Sequence, residues 1–187
     1  MKRVSLFFGS FNPIHLGHTR IAQAAHDQGT CDEVWFVVSP QNPFKTHLEL
    51  APAEWRVELV KVAIEGLSFA KVCDIELTMP IPNYTCNTLR LLFDRFPDIQ
   101  FSILMGEDQL PRFHEWRESQ WIIEHVPLWV YPRGERVESD VPHRRISCET
   151  MDVSSTMIRA RIADHKSTSG LLDEAVSLII ERDKWYR

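Results

Sequence analysis

Short apolar runs alternate with segments of helical period along nearly the whole chain, the pattern of a parallel α/β sheet. Val4–Phe8 reads as a buried first strand, and a turn containing Gly and Pro leads from it into a helix over Leu16–Gln28. Val34–Val38 is a second strand, rich in Val and aromatics. Pro52 stands where a first helical turn tolerates it, and Trp55, Leu59, Val62, Ala63 and Leu67 follow at helical spacing. Val72–Leu77 reads as a strand, Thr88–Phe96 as a helix, and Gln100–Met105 as a strand ending on Gly106. Ser119–Glu124 reads as a short helix and Leu128–Tyr131 as a strand. The polar stretch Gly134–Arg145 reads as a surface loop and Ile146–Cys148 as a last short strand, with Ser155–Asp164 and Leu172–Arg182 as closing helices. No internal repeat or low-complexity tract interrupts this order. The expected fold is Rossmann-like: one domain over residues 1–187, with a mostly parallel sheet and helices on both faces. Such sheets bind ligands at the carboxyl ends of their strands.

Composition narrows the field. With 187 residues, 44% of them apolar, the chain is long enough to hold a core without disulfides or metal. Cys31, Cys73, Cys86 and Cys148 lie far apart, with no C-x-x-C pair and no zinc spacing, which suits free thiols in a reducing compartment. The apolar run after Met1 is too short for a signal peptide, and no stretch approaches the ~20 apolar residues of a membrane span. These observations point to the cytoplasm. The 21 Lys and Arg against 26 Asp and Glu leave a formal charge of −5, which disfavours general nucleic-acid and anionic-membrane binding. An anionic ligand would therefore need a local positive site.

The candidate chemistry begins at the end of the first strand. Gly9-Ser10-Phe11-Asn12-Pro13-Ile14-His15-Leu16-Gly17-His18 fits neither the dinucleotide fingerprint nor the P-loop. Its physics is related to both. A small residue pair lets backbone approach a phosphate, and the helix that follows offers free N–H groups and a positive dipole end. His15 and His18 are three apart and share a face if both lie on the first turn. By themselves they fit packing, half of a metal site or phosphate donation, and no Glu or Cys stands at a familiar spacing to complete zinc. Near the other end, Val153-Ser154-Ser155-Thr156-Met157-Ile158-Arg159 opens an amphipathic helix. It reads equally as an N-cap and as a phosphate site with an Arg one turn in.

Taken as strings, both segments resemble the signatures of the nucleotidyltransferase superfamily, G-x-F-x-P-x-H-x-G-H and I-S-S-T-x-I-R, with Val153 in place of the usual Ile. Between them, Pro40–Lys45 resembles the P-x-x-x-P-x-K element of the bacterial nicotinate-nucleotide adenylyltransferase family with one residue fewer between the prolines, and Asn83–Leu89, Gly106–Asp108 and Phe113–Trp116 follow in the order of its S-Y-T-x-x-T-L, G-x-D and F-x-x-W elements. The resemblance runs from Val4 to Tyr186. Asn12 stands where many members have Asp, and Asn83 where many have Ser. Tyr131-Pro132-Arg133-Gly134 lacks the Pro often found between that Arg and Gly, which leaves an ATP contact by Arg133 open.

The resemblance implies transfer of AMP from ATP to nicotinate mononucleotide, giving the deamido dinucleotide and pyrophosphate in NAD biosynthesis. It implies His15, His18 and Arg159 as catalytic residues and Gly9, Ser10, Phe11, Gly106, Asp108, Ser155 and Thr156 as further ATP-binding positions. Lys45, Tyr84, Thr85 and Trp116 would bind the acceptor: Lys45 its phosphate, backbone N–H groups near Tyr84 and Thr85 its carboxylate, and Trp116 its ring. Mg²⁺ would arrive on the ATP phosphates, with no protein metal site. The rival readings are transfer to nicotinamide mononucleotide or phosphopantetheine, a nucleotide-binding regulator without catalysis, and a sugar-nucleotide or RNA-binding module. Acidity and the lack of a basic-aromatic stripe disfavour the last. Oligomeric state is left open.

Overall fold

The structure is a computed structural model that describes residues 1–41, 50–149 and 151–187. Its strands are β1 (Lys2–Gly9), β2 (Glu33–Val38), β3 (Ala70–Cys73), β4 (Ile99–Gly106), β5 (Leu128–Tyr131) and β6 (Arg144–Arg145). Its helices are α1 (Leu16–Asp27), α2 (Ala53–Ala63), α3 (Thr85–Arg95), α4 (Ser119–His125), α5 (Ser155–Ala163) and α6 (Glu174–Asp183). The strands form one sheet in the order β3-β2-β1-β4-β5-β6 with every pair parallel. This is the doubly wound arrangement, and the expected Rossmann-like fold is borne out.

Strand period two explains the layering. Phe7, Val34, Phe36 and Val38 pack with residues of α1, α2, α5 and α6, including Ala22, Val60, Ile158 and Val176. Val4, Leu6, Trp35 and Val37 face the other way, onto Leu89 and Leu92 of α3 and Ile122 of α4. Both faces of the central strands are thus buried, so their sequences read as near-continuous apolar runs rather than as alternation. Strand order reverses direction at β1, whose neighbours are β2 and β4. A crevice opens there, above the carboxyl ends of the strands.

Several boundaries differ from expectation, each for a local reason. The strand expected over Val72–Leu77 ends at Cys73, because Leu77 N–H turns back to the Asp74 carbonyl at 2.9 Å and Ile75–Thr78 forms a 3-10 turn. The helix expected from Thr88 starts at Thr85, where Thr88 N–H already reaches the Tyr84 carbonyl at 3.2 Å. The last strand is Arg144–Arg145 rather than Ile146–Cys148, although Ile146 N–H still donates to the Val130 carbonyl at 2.9 Å. The 3-10 run Glu107–Glu115 was hidden by its interior Pro111 and its polar residues. Among the described residues, no helix is long and apolar enough to cross a membrane.

Candidate active site

The loop leaving β1 is held from three sides. Phe11 takes a left-handed backbone conformation, φ 45°, which costs a non-glycine residue roughly 1 kcal/mol or more. Its ring is buried beside Phe7 and Phe36 and lies under Gly9, where a Cβ would come within 2.9 Å of the ring. Below the loop, the guanidinium of Arg56 is buried and donates to the carbonyls of Ser10, Ser39 (2.9 Å), Pro40 (3.1 Å) and Ala51 (2.8 Å). Burial lowers its pKa. The Asn12 side-chain oxygen accepts from Ala51 N–H at 3.1 Å and from the Tyr186 hydroxyl at 2.7 Å. A carboxamide therefore does the work at the position where Asp is common.

The two histidines sit on the first turn of α1, His15 as its N-cap. Their rings stack with centroids 3.7 Å apart. The backbone N–H of His15 donates to Nδ1 of His18 at 3.2 Å, so a neutral His18 carries its proton on Nε2. Burial, aided by the positive charge of Arg133, pushes His15 down to about 4, so its imidazole is neutral at pH 7. Among the described residues, none is a hydrogen-bond partner for the buried Nδ1 of His15. Gly17 makes room for this pair: a Cβ there would lie 2.8 Å from Val153 and 3.0 Å from Nδ1 of His15.

The other motif meets the same loop. Ser154 caps α5, its hydroxyl accepting from Met157 N–H at 3.1 Å. The Ser155 hydroxyl donates to the Pro13 carbonyl at 2.8 Å, and Nη1 of Arg159 donates to the Asn12 carbonyl at 2.8 Å. Nη2 of Arg159 reaches the Thr156 hydroxyl at 3.3 Å. Two helix N-termini are thereby fixed around one strand-end loop, although their motifs lie about 140 residues apart in sequence.

Across the crevice, Asp108 leaves β4 with Arg133 3.7 Å away. Gly106 allows this, because any Cβ would run into the Asp108 carboxylate, with Arg133 Cδ at 3.2 Å and the Tyr131 hydroxyl at 3.3 Å. The neighbouring Glu107 is buried, and although burial pushes its carboxyl up, Arg145 and Val137 N–H hold it below the ordinary range. At the far end, α3 begins at Thr85 with no side chain capping it, and Arg117 lies over the Tyr84 ring at 4.9 Å. Trp116 closes the 3-10 run, its ring 5.0 Å from that of Phe113.

One cleft of about 1180 Å³ opens between these elements. It brings together Gly9, Ser10, Phe11, His15, His18, Tyr84, Thr85, Asp108, Trp116, Ser155, Thr156 and Arg159, while Gly106 does not line it and lies behind its lining residues Asp108, Arg133 and Tyr131. Lys45 lies outside the described residues.

A family model described as cytidylyltransferase-like matches residues 6–161. The chain belongs to that family. A protein named "Probable nicotinate-nucleotide adenylyltransferase" from Christiangramia forsetii is 38% identical over 192 residues, covering 100% of this chain and 99% of its own. One of the same name from Cytophaga hutchinsonii is 37% identical, covering 98% of each chain. Among solved structures, Plasmodium falciparum nicotinic acid mononucleotide adenylyltransferase complexed with NaAD superposes with a TM-score of 0.85 at 16% identity, covering 100% of this chain and 98% of that one. The last likeness shows the fold.

Nucleotidyltransferases of this cytidylyltransferase-like kind typically use a metal ion with the nucleotide. Among the described residues, no three His, Cys, Asp or Glu side chains converge to hold one. Sequence reasoning missed Arg56, Tyr186, Arg117 and the Glu107–Arg145 pair, and it noted Asn12 without its partners. Arg56 carried a faint signal, since it stands in a helix beside Trp55 and Leu59 and would face the core. Tyr186 carried none, because its partner is 174 residues away.

Proposed function

We propose that the chain transfers the AMP moiety of ATP to nicotinate mononucleotide, giving nicotinate adenine dinucleotide and pyrophosphate, a step of NAD biosynthesis. The observation that carries this reading is the junction of the α1 and α5 N-termini at the Gly9–Pro13 loop, through Ser155 and Arg159. Two positive dipole ends, an arginine, the neutral His15 and His18 form a compact anion site on an otherwise acidic protein.

The acceptor phosphate oxygen is ionised at pH 7 and attacks the α-phosphorus of ATP directly. The new P–O bond forms as the bond to the β-phosphate oxygen breaks, and pyrophosphate leaves with the electron pair. No general base is required, so catalysis is positioning and charge stabilisation. His18 donates through Nε2–H, and His15 serves as a neutral donor beside it. Ser155, Thr156 and Arg159, with the α5 N-terminus, hold the β- and γ-phosphates. Gly9 and Ser10 bring backbone close to the phosphates, and Phe11 contributes by packing under them rather than by touch. Asp108 accepts from the adenosine ribose hydroxyls above Gly106. A Mg²⁺ ion carried by the triphosphate would supply charge neutralisation there, and the residues of this chain nearest to it would be those that hold the phosphates, Ser155, Thr156 and Arg159. Trp116 stacks on the pyridine ring, the N–H groups at Tyr84 and Thr85 meet its carboxylate, and Lys45 meets the acceptor phosphate. We assign the chain to the cytoplasm on its free thiols, three of them buried.

Purified protein assayed with ATP, Mg²⁺ and either mononucleotide tests the reading. The acid form is expected to show the higher kcat/KM; equal or higher kcat/KM with the amide would overturn the acceptor assignment.

A further inference from the structure

Arg117 carries a charge that the proposed reading does not use. The 3-10 run ends at Trp116, and two residues later Glu118 takes a left-handed conformation, φ 54°, as the N-cap of α4. Such a conformation in a long side chain costs energy and persists only where neighbours hold it. Arg90 holds it here: its Nη1 and Nη2 donate to both Glu118 oxygens at 3.1 and 2.5 Å. The turn sends Glu118 towards Arg90 and Arg117 towards the cleft, where its guanidinium lies over the Tyr84 ring at 4.9 Å.

The other cation of this wall is differently placed. Arg112 is occupied by Glu115, with contacts of 3.1, 3.1 and 2.6 Å. Among the described residues, the carboxylate paired with Arg117 is Glu118 at 4.0 Å, and it is already shared with Arg90. Its side chain is 56% exposed. A guanidinium over an aromatic face keeps its edge N–H groups available, and those groups match a carboxylate in plane. The segment carrying Trp116 and the start of α3 are thus bridged by a cation facing the space between them.

We infer that Arg117 is a specificity residue for the acceptor: its guanidinium donates to the ring carboxylate of nicotinate mononucleotide and offers little to a neutral carboxamide. This rests on the proposed acceptor reading and deepens it. The backbone N–H groups of α3 can bind either an acid or an amide oxygen; the full charge on Arg117 separates the two.

The test compares the intact protein with Arg117→Gln and Arg117→Lys, using nicotinate and nicotinamide mononucleotides in steady state and calorimetric binding of nicotinate mononucleotide alone. The side chain is exposed, so both variants should fold, and circular dichroism checks this. For Arg117→Gln the acid-to-amide ratio of kcat/KM should fall on the order of 10- to 100-fold, through a higher KM for the acid and a matching loss of affinity. Arg117→Lys should recover part of that ratio, since a point charge remains. An unchanged ratio, or equal losses with both acceptors, would overturn the inference while leaving the acceptor reading intact. Wild-type protein that turns over neither mononucleotide would overturn the acceptor reading itself.

Discussion

The backbone N–H of His15 donates to Nδ1 of His18 at 3.2 Å, and this single bond decides which ring nitrogen of His18 is left to donate into the cleft. A neutral imidazole bound in this way has its proton on Nε2. Replacing His18 by Ala should therefore lower kcat by on the order of 10²-fold, the usual cost of one well-aimed donor to a developing oxyanion. Asn places an N–H donor on a shorter side chain and should recover part of the loss. Near-normal turnover of His18→Ala would remove this residue from the mechanism.

Gly17→Ala probes the same pair sterically. The added methyl would meet Val153 Cγ1 at 2.8 Å and Nδ1 of His15 at 3.0 Å, so α1 and the loop before α5 must separate. Overpacking of this kind costs about 1–3 kcal/mol. Urea denaturation should show that loss, and kcat should fall with it because the histidine pair is displaced. Wild-type stability and rate together would contradict the packing described.

Arg56→Met removes a buried cation that serves four backbone carbonyls in the loop after β1, the end of β2 and the entry to α2. Methionine fills much of the volume but satisfies none of the carbonyls, and a loss of about 3 kcal/mol or more is expected. The measurement is the denaturant midpoint, which should fall well below that of the wild type. A midpoint within error of the wild type would show that these bonds contribute nothing net.

Stability should also depend on His15. Its folded pKa, about 4, lies below the ordinary 6.5, so the unfolded chain binds the extra proton first as pH falls. The contribution is complete above pH 6.5 and is lost as pH drops towards 4, by roughly 3 kcal/mol at most. Unfolding curves at pH 7 and pH 5 should differ by less in His15→Gln than in wild type. An equal pH dependence in both proteins would show that burial of His15 is not the cause.

Much of this site was legible in the chain because its motifs are local. Gly9–His18 and Ser154–Arg159 each carry their own turn and helix start, and strand-to-helix alternation placed both at the carboxyl end of the sheet. The long-range ties were not legible: Tyr186 to Asn12 and Ser155 to Pro13 depend on how the helices return to the sheet. The start of α3 was read three residues late because Asn83, Tyr84 and Thr85 look like turn and strand residues, whereas the Tyr84 carbonyl already accepts from Thr88. Arg117 stands outside every motif read from the chain. Only the left-handed turn at Glu118 shows where it faces.

The most direct test of the account follows ATP labelled on its α-phosphorus through one turnover with nicotinate mononucleotide. Direct transfer predicts that the label appears in the dinucleotide in step with pyrophosphate, and that none stays on the protein when the acceptor is withheld. Label retained on the protein, or released as AMP without dinucleotide, would contradict it.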